Sequence, residues 1–263
     1  LTRYATERFL ARLETSGYAN KFVLKGGNLF VVWFRGRDYR PTMDTDFLYR
    51  GRDVTEEQIA SVFKDISASQ PSCDGLVYDL KSIRVEAIRE DTKYGGWRVT
   101  LKACLGNIRI PLQFDIGFGD AITPEPEKVT YPSMLFNVSP KIMAYPMATV
   151  VAEKCAIMVE LGFANSRMKD FFDVWTILKE FEISEDLLKT AISATFKRRG
   201  TKLDSTKPLC FTEEFSSDKR KSAQWKAFLR KNGNEADCPI EFNTIADFIT
   251  SKIYPLLPKV DSK

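Results

Sequence analysis

The chain has 263 residues, 44% hydrophobic and 28% charged, which is the balance of a water-soluble globular protein with one large or two modest domains. It contains no histidine, so Ser-His-Asp triads, Cys-His proteases, HEPN-type ribonuclease chemistry and histidine metal sites are all excluded. The formal net charge of +4 permits a polyanionic partner without requiring one, and the catalytic repertoire left is carboxylates, lysines and metal.

No apolar run reaches the length of a membrane span and no signal-peptide pattern opens the chain, so no membrane association and a cytoplasmic location are expected. A first residue of Leu1 rather than Met suggests that residues precede it. Cys73, Cys104, Cys155, Cys210 and Cys238 are scattered and lack C-x-x-C spacing, which predicts reduced thiols rather than zinc or a disulfide framework.

In chain order, Phe9, Leu10 and Leu13 recur at helical spacing, predicting a supporting helix over Thr6 to Thr15 with Gly17 as its stop. Gly26-Gly27 then separates the apolar run Phe22-Val23-Leu24 from a helix-like one at Leu29 to Phe34. Taken alone such a pair is a turn, but paired glycines opening a helix also let a phosphate approach bare backbone N–H groups. Asp44 and Asp46 alternate into Phe47-Leu48-Tyr49 as in a strand, which points both carboxylates to one face. An Asp-x-Asp by itself is a solvated strand end; two like charges held together instead call for a hard cation such as Mg²⁺. An amphipathic helix over Glu57 to Ser67, N-capped by Thr55, is expected to pack behind this strand.

Strand patterns follow at Leu76 to Leu80, Ser82 to Arg89, Trp97 to Leu105 and Asn107 to Phe118, with turn signals at Tyr94-Gly95-Gly96 and a hairpin signal at Gly106-Asn107. In the last run Ile108, Ile110, Leu112 and Phe114 form the inner set. Asp115 falls on the opposite face, where it either ends a strand or joins Asp44 and Asp46. The proline-rich stretch Ala121 to Pro146 is expected to be an irregular connection, with the domain boundary near Tyr145.

Beyond it, a helix is predicted over Ala148 to Leu161, N-capped near Pro146 and stopped by Gly162. Its Lys154 either snorkels to solvent or serves as a compact charge for phosphate. A helix capped by Ser166 would set Asp170 and Asp173 one turn apart on one face, either as favourable first-turn charge or as site residues. Arg167 and Lys169 are candidate phosphate contacts. Further helices are expected over Ser184 to Thr195, followed by a basic turn Lys197-Arg198-Arg199-Gly200, over Asp218 to Lys231 with a basic face, and over Phe242 to Ile253.

Together, Gly26-Gly27, Arg40-x-Thr42-x-Asp44-x-Asp46, Leu112 to Asp120, Ala152-Glu153-Lys154 and Asn165 to Asp173 resemble the nucleotidyltransferases of the DNA polymerase β superfamily. The similarity is greatest to the AbiEii/AbiGii toxin family of type IV toxin-antitoxin and abortive-infection systems, which includes MenT-type toxins, and spans about residues 5 to 180. The resemblance implies an α/β (α+β) fold, with a mixed nucleotidyltransferase sheet in residues 1–145 and a helical C-terminal domain in residues 146–263 that contributes to the active-site cleft. It implies Mg²⁺ or Mn²⁺ on Asp44, Asp46 and Asp115, and catalysis by these three with Lys154 and Asp170. An NTP would be bound by Lys25, Gly26, Gly27, Asn28, Thr42, Lys154, Arg167, Lys169 and Asp173, Asp173 being the second choice after Asp170 for the essential C-terminal aspartate. The expected reaction moves a nucleoside monophosphate from an NTP to an acceptor such as the 3′ end of tRNA or another RNA, with a cognate antitoxin as protein partner. A transferase that modifies protein side chains and a non-catalytic nucleotide- or RNA-binding module are the other readings.

Overall fold

The computed structural model describes residues 1–36, 39–40, 42–51, 54–69, 74–88, 95–233 and 238–259. Pro41 of the Asp-x-Asp segment, Cys73, the strand end Arg89 and the turn residue Tyr94 lie outside them. Two compact units form, one from residues 1–120 and 126–145, the other from residues 121–125 and 146–263.

The first unit is a seven-stranded mixed sheet with helices. Its strands are β1 (Phe22–Lys25), β2 (Asp44–Tyr49), β3 (Leu76–Ile88), β4 (Gly96–Leu105), β5 (Ile108–Phe118), β6 (Glu127–Thr130) and β7 (Lys141–Ala144), in the spatial order β3-β4-β5-β2-β1-β7-β6. The β2–β5 and β1–β7 pairs are parallel and the others antiparallel. Helices α1 (Thr2–Thr15) and α3 (Glu56–Ala68) supply Phe9 and Phe63, which meet Phe114 of β5 at ring-centroid distances of 4.4 and 5.2 Å. Phe22 of β1 and Phe47 of β2 join this apolar face. The strand alternation sends Asp44, Asp46 and Asp115 to the other face. Thr55 caps α3 in a capping box with Gln58.

Several expectations are corrected here. The runs at Leu76 to Leu80 and Ser82 onward are one strand, β3, interrupted only by a register irregularity between Asp79 and Arg84. Ile108 sits beside the hairpin turn and is 50% exposed, so the inner set of β5 begins at Ile110. The stretch Ala121 to Pro146 holds β6 and β7 rather than irregular chain throughout. These strands have four residues each, too few for an alternation to register, and β7 is placed by parallel pairing with the distant β1.

The second unit is helical: α4 (Met147–Leu161), α5 (Met168–Glu180), α6 (Glu185–Arg199), α7 (Glu213–Ser216), α8 (Lys219–Asn232) and α9 (Phe242–Ile253). Phe171 and Phe172 of α5 pack with Phe215, Trp225, Phe228 and Phe242. Lys197, Arg198 and Arg199 are the last turn of α6, where cations complement the helix dipole, and Gly200 at φ +68° ends it. Ser166 does not cap α5; instead Asn165 Oδ1 accepts from the Arg167 N–H at 2.8 Å. Lys221, expected on a solvated basic face, is 5% exposed and donates to the carbonyls of Phe163 and Asn165, each at 2.7 Å. No helix among the described residues is long and apolar enough to cross a membrane.

Candidate active site

In the sheet unit, β2 and β5 run parallel in a register that sets Asp46 beside Asp115, with Asp44 one alternation earlier on β2. One oxygen from each carboxylate lies within 4.8 Å of the others, and all three residues are half-buried. Among the described residues no other group of three His, Cys, Asp or Glu side chains is so arranged.

Gly26 and Gly27 follow β1 and open a 3-10 turn into α2 (Leu29–Trp33). Gly26 has φ +70°, and a Cβ there would overlap the Asp46 carboxylate, 2.6 Å from its Cγ. A Cβ at Gly27 would overlap Thr42 Oγ1 and lie 3.2 Å from Arg40 Nη1. The paired glycines therefore serve close approach by Asp46 and Thr42. Asn28 Nδ2 donates to the Asp44 carbonyl at 2.8 Å and to Thr45 Oγ1 at 3.3 Å, while its Oδ1 accepts from Tyr131 OH. That side chain fixes the start of β2. Lys25 Nζ is 2.8 Å from Asp120 Oδ2.

Three oxygen donors with no thiol or imidazole fit a hard divalent cation, Mg²⁺ or Mn²⁺, far better than zinc. Sequence patterns alone missed the group bound to this set. Arg98 of β4 grips Asp115 with Nε on Oδ1 at 2.8 Å and Nη2 on Oδ2 at 2.7 Å. The signal was present: counting equally along both strands from the Gly106-Asn107 turn puts Arg98 opposite Asp115.

In the helical unit, Lys154 of α4 reaches Asp170 Oδ1 at 2.7 Å and Asp173 Oδ2 at 2.8 Å on α5. Arg167 Nε adds a second contact to Asp170, at 2.6 Å. Both aspartates are fully buried and Lys154 is nearly so, which means that Lys154 does not snorkel. Lys169 is exposed. Burial pushes the Asp170 carboxyl up, but Lys154 and Arg167 outweigh it and hold the pKa at about 2, against 3.8 unfolded.

A depressed folded pKa gives stability that is complete above the unfolded value and is lost as pH falls through the folded one. Asp170 therefore contributes about 2 kcal/mol at neutral pH, fading from about pH 4 towards pH 2. In urea unfolding, the stability gap between wild type and Asp170→Asn is expected to shrink over that interval. A gap independent of pH would exclude Asp170 as the titrating group.

The sheet order, with three carboxylates on β2 and β5 beside a glycine-opened turn, defines a nucleotidyltransferase fold. The chain is similar in structure to JHP933 from Helicobacter pylori, with a TM-score of 0.57 at 14% identity over 96% of this chain and 93% of that one. It is likewise similar to a putative nucleotidyltransferase from H. pylori, with a TM-score of 0.55 at 13% identity over 98% and 100% of the two chains. Among curated proteins, none matches. The family described as nucleotidyl transferase AbiEii toxin, type IV TA system, matches residues 8–247, and the chain belongs to it.

Proposed function

We propose that this AbiEii-family chain transfers a nucleoside monophosphate from an NTP to the 3′ end of a tRNA, releasing pyrophosphate, and thereby acts as the toxin opposed by a cognate antitoxin in the cytoplasm. The observation that carries the transfer reaction is the meeting of Asp44, Asp46 and Asp115 beside Gly26-Gly27. The tRNA acceptor rests on the likeness of the sequence motifs to MenT-type toxins.

Asp44, Asp46 and Asp115 would hold Mg²⁺ or Mn²⁺, which supplies charge neutralisation on the triphosphate and a lower pKa for the acceptor hydroxyl. Gly26 and Gly27 let Asp46 and Thr42 close on the turn, and the backbone N–H groups of that turn are assigned to the phosphate oxygens. By resemblance to the family, Asp115 is assigned to take the acceptor hydroxyl's proton. Lys25, Lys154, Arg167 and Lys169 are the cations assigned to the triphosphate, and Asp170 and Asp173 orient Lys154.

The test incubates purified chain with Mg²⁺, total tRNA and each α-labelled NTP in turn, alongside an Asp44→Ala, Asp46→Ala double variant. Label on tRNA with wild type, reduced by about 10³-fold or more in the variant, is the expected result. Label on protein bands alone would overturn the tRNA acceptor, and no label on any acceptor in cell extract would overturn the transferase reading.

A further inference from the structure

The backbone register lays a row of charges across five neighbouring strands. Lys25 on β1, Asp46 on β2, Asp115 on β5, Arg98 on β4 and Glu86 on β3 are successive cross-strand partners, so all five side chains leave the sheet on one face. The signs run plus, minus, minus, plus, minus. At the centre two carboxylates repel each other, and each has a cation-bearing neighbour on its outer side.

Arg98 meets Asp115 through two parallel N–H···O bonds, the arrangement in which a guanidinium matches a carboxylate best. Gln113 Nε2 adds a long contact to Asp115 Oδ1 at 3.4 Å. Any cation entering among the three aspartates thus meets one carboxylate that is already neutralised, and it binds Asp115 only in competition with this fork. Arg98 has a second anion available: Glu86, its cross-strand partner on the side away from Asp115, is exposed.

We propose that Arg98 is a counter-ion latch, a positioning residue that holds Asp115 neutralised and oriented while the site lacks its cation and passes to Glu86 when the cation loads. The inference rests on the metal reading given above and adds to it a residue that sets how tightly the metal is held. The latch lowers the affinity of the three aspartates for the cation by the strength of the Arg98–Asp115 pair.

Mn²⁺ binding, read by electron paramagnetic resonance and calorimetry on the full chain without nucleotide, separates the possibilities. Arg98→Gln is expected to bind Mn²⁺ about tenfold more tightly than wild type, the lower end for a charge-assisted pair because Arg98 is 42% exposed. Glu86→Gln is expected to bind it a few-fold more weakly, since Arg98 then has only Asp115. Arg98→Lys keeps the charge and loses the fork, so its affinity should lie nearer to Arg98→Gln than to wild type. Wild-type-like affinity in both Arg98 variants, with circular dichroism unchanged, would overturn the latch while leaving the metal site standing, provided that binding is lost in the Asp44→Ala, Asp46→Ala variant. No Mn²⁺ binding by wild type would overturn the metal reading and the latch together.

Discussion

Gly26→Ala is expected to lose about a hundredfold or more in nucleotide transfer while the sheet unit stays folded. A Cβ at position 26 would fall inside the Asp46 carboxylate, 2.6 Å from its Cγ and 2.9 Å from its Cβ. Those atoms belong to the root of a short side chain on a paired strand, so Asp46 cannot swing clear as a long flexible tip would. Relief requires a shift on the order of 1 Å in β2 or in the turn, the scale at which catalytic geometry fails. The φ of +70° adds about 1–2 kcal/mol of backbone strain for any residue with a Cβ. Gly27→Ala should be milder, because its obstacles are the ends of Thr42 and Arg40 side chains. Transfer assays beside Mn²⁺ titrations check this, and equal activity of Gly26→Ala and wild type would detach the glycine turn from the chemistry.

Lys154→Met is expected to destabilise the helical unit by about 3–5 kcal/mol, the usual cost of leaving a buried charge without its partner. Lys154 bridges Asp170 and Asp173, and both aspartates are buried. Arg167 remains on Asp170 in that variant. A double-mutant cycle of Lys154→Met with Asp173→Asn in urea measures how much of the loss is the coupling between this pair. A loss below about 1 kcal/mol in the single variant would mean that the carboxylates are solvated through local opening.

The carboxylate site was legible in the sequence because strand periodicity is rigid. Asp44 and Asp46 had to share a face, and the alternation around Asp115 had to place it opposite Phe114 and Ile116. Capping chemistry was local at Thr55, which accepts from the backbone of the helix it begins, but not at Ser166, which does not cap α5. What escaped was set by pairing between distant segments. β7 is a four-residue strand whose place depends on β1, and Arg98 gains its meaning only from the strand it faces. Lys221 sat in a run of charges that suggested a solvated face, yet two carbonyls from the loop before α5 draw it inside. The helical carboxylates were legible as a pair on one face but not as the two anions of one buried lysine, since that depends on how α4 lies against α5.

The row of charges across the sheet has a consequence for assembly of the fold. Asp46 is flanked on β2 by Thr45 and Phe47, and Asp115 on β5 by Phe114 and Ile116, all buried on the opposite face. If β5 slipped by a single residue, Asp115 would be driven among Phe9, Phe47 and Phe63; if β2 slipped, Asp46 would be driven against Phe22 and Phe114, and in each case a phenylalanine would emerge into water. An unpaired carboxylate in that aromatic cluster would cost several kcal/mol, enough to empty the slipped state. The residues assigned to chemistry thus also proofread the pairing of the strands that carry them.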